Sequence, residues 1–256
     1  MEWISDPQIW ISFFTLTVLE IVLGIDNIVF ISILSNKLPQ EQQKKARQLG
    51  LMLALVMRVA LLFSIQWVMG LTHTLLNIAQ WLNIENPEFT RYLSLSGRDL
   101  ILFVGGLFLI YKSTTEIHHK VEGTHEAANT AIKKETFSSV ITQIIILDSV
   151  FSLDSVITAV GMVDQIGVMI AAVLVAVAIM LFSAESISRF VNNYPSVKML
   201  ALAFLLLIGV SLTAEAFDQH IPKGYIYFAM AFSVLVEFLN IRSEKKLHVD
   251  KNKSLK

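Results

Sequence analysis

Long apolar runs, separated by short polar connections, make up most of this chain. A helix that crosses a bilayer needs about 20 mainly apolar residues. By that measure the pattern predicts seven spans, and hence an all-α membrane protein. The predicted spans are 9–34, 48–72, 98–116, 137–162, 164–187, 197–216 and 224–241.

Two polar motifs interrupt the first and the fourth apolar run, and they look like copies of each other. A shift from position 20 to position 148 aligns them residue by residue. The matched pairs are Glu20 with Asp148, Gly24 with Ser152, Asp26 with Asp154, and Asn27 with Ser155. Spans one and four cross in opposite directions, so the two motifs are predicted to run antiparallel.

The antiparallel motifs predict two inverted three-helix halves, an arrangement typical of transporters. The halves would cover about 9–116 and 137–216, with an extra helix at 224–241. Together they would form one transmembrane domain, 1–242, followed by a basic cytoplasmic tail at 243–256. Transporters of this kind place substrate and coupling ions between the halves, near the membrane midplane.

The amino-acid composition is also that of a membrane protein, and it makes the acidic residues of the spans unusual. Hydrophobic residues make up 54% of the chain and charged residues 16%, whereas soluble domains carry about 25% charged residues. The chain has no cysteine, which excludes disulfides and thiolate metal sites. A charged side chain at the bilayer centre costs about 3 kcal/mol on insertion scales. Four matched carboxylates at that depth therefore indicate function.

The distribution of Lys and Arg predicts the orientation. Most of the 20 basic residues fall after the first, third, fifth and seventh spans, and basic connections face the cytoplasm. The N-terminus is therefore expected outside and the C-terminus inside. Arg58 alone lies deep within a predicted span, where we interpret it as an ion pair between helices or as a gating residue.

The candidate site is built from oxygen donors. The metal ligands that we predict are Glu20, Asp26, Asn27, Asp148, Asp154 and Ser155. Such ligands suit Mg²⁺, Ca²⁺ or Mn²⁺ rather than Cu⁺ or structural zinc. Four carboxylates with Arg58 as the only base would carry a charge that one divalent cation and one proton could balance. A cation and protons are therefore the expected partners, besides the lipid bilayer.

The two carboxylates of each motif are six positions apart. On a regular helix this spacing gives about 9 Å of rise and about 240° of rotation. Either the two carboxylates face different directions, or the helix breaks between them. Gly24 and the locally bonding side chains of Asn27 and Ser155 favour a break. Other acids, Glu185, Glu215 and Glu237, are expected to be interfacial or to pack between helices.

The motifs Thr17–Asn27 and Leu147–Val156 and the segment Gly105–Ile110 resemble the TerC family of bacterial integral membrane proteins. The resemblance covers about residues 8–240, and we expect the chain to be a short form of the family, without an appended regulatory domain. The family is named for tellurium resistance, is implicated in manganese homeostasis, and is grouped with exporters built from inverted halves. It implies functional roles for Glu20, Asp26, Asp148 and Asp154, and a place in the bacterial inner membrane.

Three functions compete. The first is a secondary transporter that exports a divalent cation, with Mn²⁺ favoured, in exchange for protons. The second is a membrane scaffold in the metal or tellurite stress response, which does not transport. The third is an intramembrane aspartyl protease using Asp26 and Asp154, which would leave Glu20 and Asp148 unexplained. We expect no enzymatic activity, no permanently bound cofactor and no nucleic acid partner. Metal binding by His118, His119 and His125 stays open.

Overall fold

A computed structural model describes residues 6–77, 94–122, 135–219 except 162 and 164, and 221–254. The side chains of Asp26, Gln66 and residues 244–254 are outside this description, as is His125.

Seven helices of the described residues are long and apolar enough to cross a bilayer, which confirms an all-α membrane protein. A short helix and a two-stranded antiparallel ribbon lie between the second and the third of them. In chain order the elements are α1 Pro7–Ser35, α2 Gln40–Phe63, α3 Ile65–Gly70, β1 Thr74–Asn77, β2 Ser94–Ser96, α4 Gly97–Glu122, α5 Phe137–Val160, α6 Ile166–Asn193, α7 Pro195–Glu215 and α8 Lys223–Ser254.

Local capping explains where several helices begin. The Asp6 side chain accepts a hydrogen bond from the backbone of Gln8 and caps α1. The Thr136 hydroxyl does the same for α5 through the backbone of Ser139. Pro195 starts α7, in a position where its missing N–H costs no hydrogen bond.

The second predicted span, 48–72, is displaced in the structure. Helix α2 begins earlier, directly after Pro39, because its polar first turns continue into the apolar stretch as one helix. It ends at Phe63, where the Ser64 hydroxyl donates to the Ala60 carbonyl at 2.8 Å. Helix α8 also differs from its prediction, since it continues past 241 through the predicted tail to Ser254.

The predicted helix break inside the two motifs is wrong, because α1 and α5 are each continuous. The Asn27 side chain bonds to Asp148 rather than to its own backbone, so it does not compete with the helix. Gly24 lies against the side chain of Met180 and therefore serves close packing of α1 on α6. The carboxylates of the second motif take different directions instead.

The most extensive contacts join α1 to α6, α2 to α5, and α4 to α7. Exchanging the two predicted halves would interchange the α1–α6 and α2–α5 pairs and map the α4–α7 pair onto itself. The inverted repeat itself stays a prediction, which this pattern favours. Helix α8 packs mainly on α7 and leaves large apolar side chains such as Phe228 and Phe232 exposed.

We call the face at which α1 begins the N-terminal face. At the opposite face, Lys37 pairs with Glu116 and with Glu135, the latter at 3.4 Å. Burial would raise the pKa of Glu135, but a hydrogen bond from Gln143 and the charges of Lys37 and Lys112 outweigh it and hold the pKa below its usual range. These ion pairs join the ends of α1 and α4 to the start of α5.

Glycines bring α4 and α7 close together. A Cβ on Gly106 would lie 2.8 Å from the Gly209 carbonyl oxygen and 2.9 Å from the Thr213 backbone nitrogen. Backbone atoms cannot move aside as a flexible side chain can. Small residues at such crossings are typical of membrane helix pairs.

We expect Gly106→Ala to destabilise the protein by about 1–3 kcal/mol, the usual cost of overpacking. Thermal unfolding in detergent measures the effect. The matched control is Gly167→Ala, because a Cβ there meets nothing within 4 Å, and Ala favours helix over Gly. Equal unfolding temperatures for the two variants would contradict the close α4–α7 contact.

Candidate functional site

The two motifs meet at one buried guanidinium. Glu20 on α1 and Asp148 on α5 lie about midway along their helices, and both form ion pairs with Arg58 of α2. The distance from Arg58 Nη2 to Asp148 Oδ1 is 3.5 Å. All three residues are at most 5% exposed. This central cluster thus joins three helices with two carboxylates and one base.

Neutral side chains complete the central cluster. Arg58 Nε donates to the Ser152 hydroxyl at 3.1 Å, and that hydroxyl donates to Asp148 at 2.8 Å. Asn27 Nδ2 donates to Asp148 Oδ1 at 3.3 Å. The Ser155 side chain lies beside the Glu20 carboxylate, and its hydroxyl donates to the Ser152 carbonyl at 3.2 Å. Each motif therefore contributes polar groups that contact the other motif's central carboxylate.

Asp154 belongs to a second cluster, nearer the N-terminal face. Its carboxylate accepts from Arg98 Nη2 at 3.0 Å and also pairs with Lys223. Arg98 Nη2 donates in addition to Glu215 Oε1 at 2.6 Å. This outer cluster joins α4, α5, α7 and α8, and its two carboxylates and two bases balance in charge.

Asp26 cannot be placed in either cluster, because its side chain is outside the described part of the structure. Its backbone lies in α1, six positions beyond Glu20 and toward the opposite face. Asp154 lies six positions beyond Asp148, toward the N-terminal face. Asp26 and Asp154 are therefore displaced from the central cluster toward opposite faces of the bundle.

A small cavity connects the two clusters. It has a volume of about 60 Å³ and is lined by Arg58, Asp154, Ser155, Glu215 and Lys223 together with apolar side chains. That volume holds an ion or a few water molecules. One turn before Glu20 on α1, the buried hydroxyl of Thr17 has no hydrogen-bond partner among the described residues. Oxygen donors are thus available at membrane depth.

No three His, Cys, Asp or Glu side chains form a ready metal-ligand set in the part of the chain that the structure describes. Of the predicted ligands, Glu20, Asn27, Asp148 and Ser155 come together. Asp154 lines the cavity next to them. The assignment of these residues as metal ligands stays a prediction.

Sequence reasoning missed the bases of the outer cluster. The expectation that Arg58 is the only base deep enough to reach the acids is wrong, since Arg98 and Lys223 both reach Asp154. Long basic side chains at helix ends extend along apolar surface while their stems are buried. The sequence did place Arg98 and Lys223 at the start of apolar helices, α4 and α8, from which such side chains can reach a buried acid. Glu215 is correspondingly an ion-pair partner of Arg98.

The chain matches the integral membrane protein TerC family over residues 5–252. It is 54% identical over 245 residues to the UPF0053 inner membrane protein YgdQ of Escherichia coli strain K12, covering 95% of this chain and 97% of that protein. A UPF0053 protein of Haemophilus influenzae is 52% identical over 95% of this chain and 98% of its own length. The UPF0053 inner membrane protein YoaE of Escherichia coli is 51% identical, over 94% of this chain but 44% of its own length.

No solved structure matches the chain significantly. The family match covers nearly the whole described membrane domain, including both acidic motifs and all seven apolar helices. The chain belongs to the TerC family of integral membrane proteins.

Proposed function

We propose that this protein is a secondary transporter of the bacterial inner membrane, which exports a divalent metal cation, with Mn²⁺ favoured, in exchange for protons. The observation that carries the proposal is the central cluster. Two carboxylates, one from each motif, lie buried beside a single guanidinium. Neutralising Arg58 alone would need one carboxylate, so the second leaves a negative charge in excess.

The charge of the central cluster supports exchange. One base against two carboxylates leaves one excess negative charge among residues that are almost fully buried. Desolvation makes such a charge costly. Either a proton or a cation can neutralise it, and the two would compete for the same oxygens. Competition of this kind is what couples two ions in an exchanger.

The donor chemistry supports a hard divalent cation. Carboxylate, amide and hydroxyl oxygens surround the cluster, and the chain has no cysteine thiolate. Oxygen sites suit Mg²⁺, Ca²⁺ and Mn²⁺. Mn²⁺ is favoured because of the family resemblance. The basic connections support an orientation with the N-terminus outside, so that the outer cluster would face the periplasm.

Replacing either central carboxylate should abolish export. We expect Glu20→Gln and Asp148→Asn each to reduce Mn²⁺ efflux from loaded proteoliposomes by at least about tenfold, because a lost negative ligand weakens divalent binding. Each variant leaves Arg58 paired with the remaining carboxylate, so the protein should still fold. Efflux and unfolding temperature are measured on the same preparations.

The matched control is Glu185→Gln, since Glu185 is a half-exposed carboxylate of α6 that pairs with Lys44 and Arg189. It should export at the normal rate. Normal export by both central variants would contradict the assignment of Glu20 and Asp148 as cation ligands. No export by the unaltered protein would favour the membrane scaffold instead.

Export should depend on a proton gradient. We expect Mn²⁺ efflux from loaded vesicles to accelerate when the receiving side is acidic and to slow when it is alkaline, because protons entering from that side replace the departing cation. Membrane potential is clamped with potassium and valinomycin. Efflux that ignores the gradient would contradict exchange and indicate a uniporter or channel.

A further inference from the structure

Helix α8 lies outside the two predicted halves, yet its first residue reaches the second motif. Most of its apolar surface is exposed, and it packs mainly on α7. Lys223 begins the helix directly after Pro222, and its ammonium pairs with Asp154 on α5. This ion pair joins the start of α8 to the motif helix α5.

The two bases on Asp154 are held differently. Arg98 is fixed by a second acid, because the same Nη2 that contacts Asp154 also donates to Glu215. Lys223 pairs with Asp154 alone among the ion pairs of the described residues. Its ammonium is a point charge on a flexible four-carbon stem, whereas a guanidinium is a planar fork. Lys223 is therefore the base that can leave Asp154 at lower cost.

Lys223 also borders the cavity that adjoins the central cluster. It lines the same small cavity as Arg58, Asp154 and Ser155. Its side chain is about a quarter exposed, while Asp154 is nearly buried. The ammonium thus lies between the buried carboxylate and the N-terminal face.

We propose that Lys223 is a tethered cation that occupies Asp154 and is displaced when the transported divalent cation binds there. This inference rests on the proposed function and adds Lys223 to it as the residue that sets cation affinity at Asp154. In each state Arg98 and one further positive group, either the ammonium or the cation, lie beside Asp154, so the carboxylate is never left buried and uncompensated. The ammonium would swing toward the N-terminal face as the cation takes its position.

Binding of Mn²⁺ to the purified full chain tests the proposal. The six-line electron paramagnetic resonance signal of free Mn²⁺ disappears on binding, so titration of the protein with Mn²⁺ gives the affinity. We expect Lys223→Gln to tighten Mn²⁺ binding by about tenfold, because the variant removes the ammonium that competes with Mn²⁺ for Asp154. Repulsion between two positive charges is stronger near a protein surface than in bulk water. Lys223→Arg retains the competitor and should not tighten binding. Lys44→Gln removes an exposed lysine paired with Glu185 and should bind like the unaltered protein.

A second measurement needs no variant. Reductive methylation of lysines, read by mass spectrometry, should label Lys223 faster when Mn²⁺ is added, because displacement frees its ammonium. Lys44 in the same sample is the internal reference, and choline chloride at equal ionic strength is the salt control.

The outcomes separate the two proposals. If the unaltered protein binds no Mn²⁺, the proposed function fails and this inference falls with it. If Mn²⁺ binds, but Lys223→Gln does not tighten binding and Lys223 labelling does not change, the tethered-cation role alone is overturned. Weaker binding by Lys223→Gln, without a change in labelling, would show a merely structural ion pair and would likewise overturn it.

Discussion

The burial of the Arg58 guanidinium is the constraint on which the membrane domain depends. A buried base must have partners, and removing one partner of a buried ion pair typically costs about 3–5 kcal/mol. Glu20 on α1 and Asp148 on α5 supply those partners from separate helices. Arg58 therefore holds α1, α2 and α5 at a fixed depth relative to one another. The second carboxylate leaves this position with one negative charge in excess.

The glycine contacts between α4 and α7 have a different physical basis. Helices α4 and α7 approach through Gly106 and Gly209, where backbone lies on backbone. In lipid there is little hydrophobic gain from bringing two apolar helices together. Close van der Waals packing must therefore stabilise the α4–α7 pair. The bundle thus combines a polar junction among α1, α2 and α5 with a tightly packed α4–α7 pair. The outer cluster connects these two parts through Arg98 and Asp154.

Ion pairs close the bundle toward both faces. The Arg98, Asp154, Glu215 and Lys223 cluster lies toward the N-terminal face, and the Lys37, Glu116 and Glu135 cluster lies at the opposite face. In the proposed transporter, alternating access would require the ion pairs of one face to open while those of the other face stay closed.

The sequence by itself determined the seven spans, the paired motifs, the burial of Arg58 and the family, because apolar run length and motif spacing are local properties of the chain. It misjudged the helix break, since Asn27 and Gly24 act through neighbours on α5 and α6. It also misplaced the second span, since the polar first turns of α2 continue into the apolar stretch as one helix. Only the tertiary structure decided that Arg98 and Lys223 reach Asp154. Both residues stand at helix starts, and which carboxylate a long basic side chain meets depends on how separate helices end beside one another.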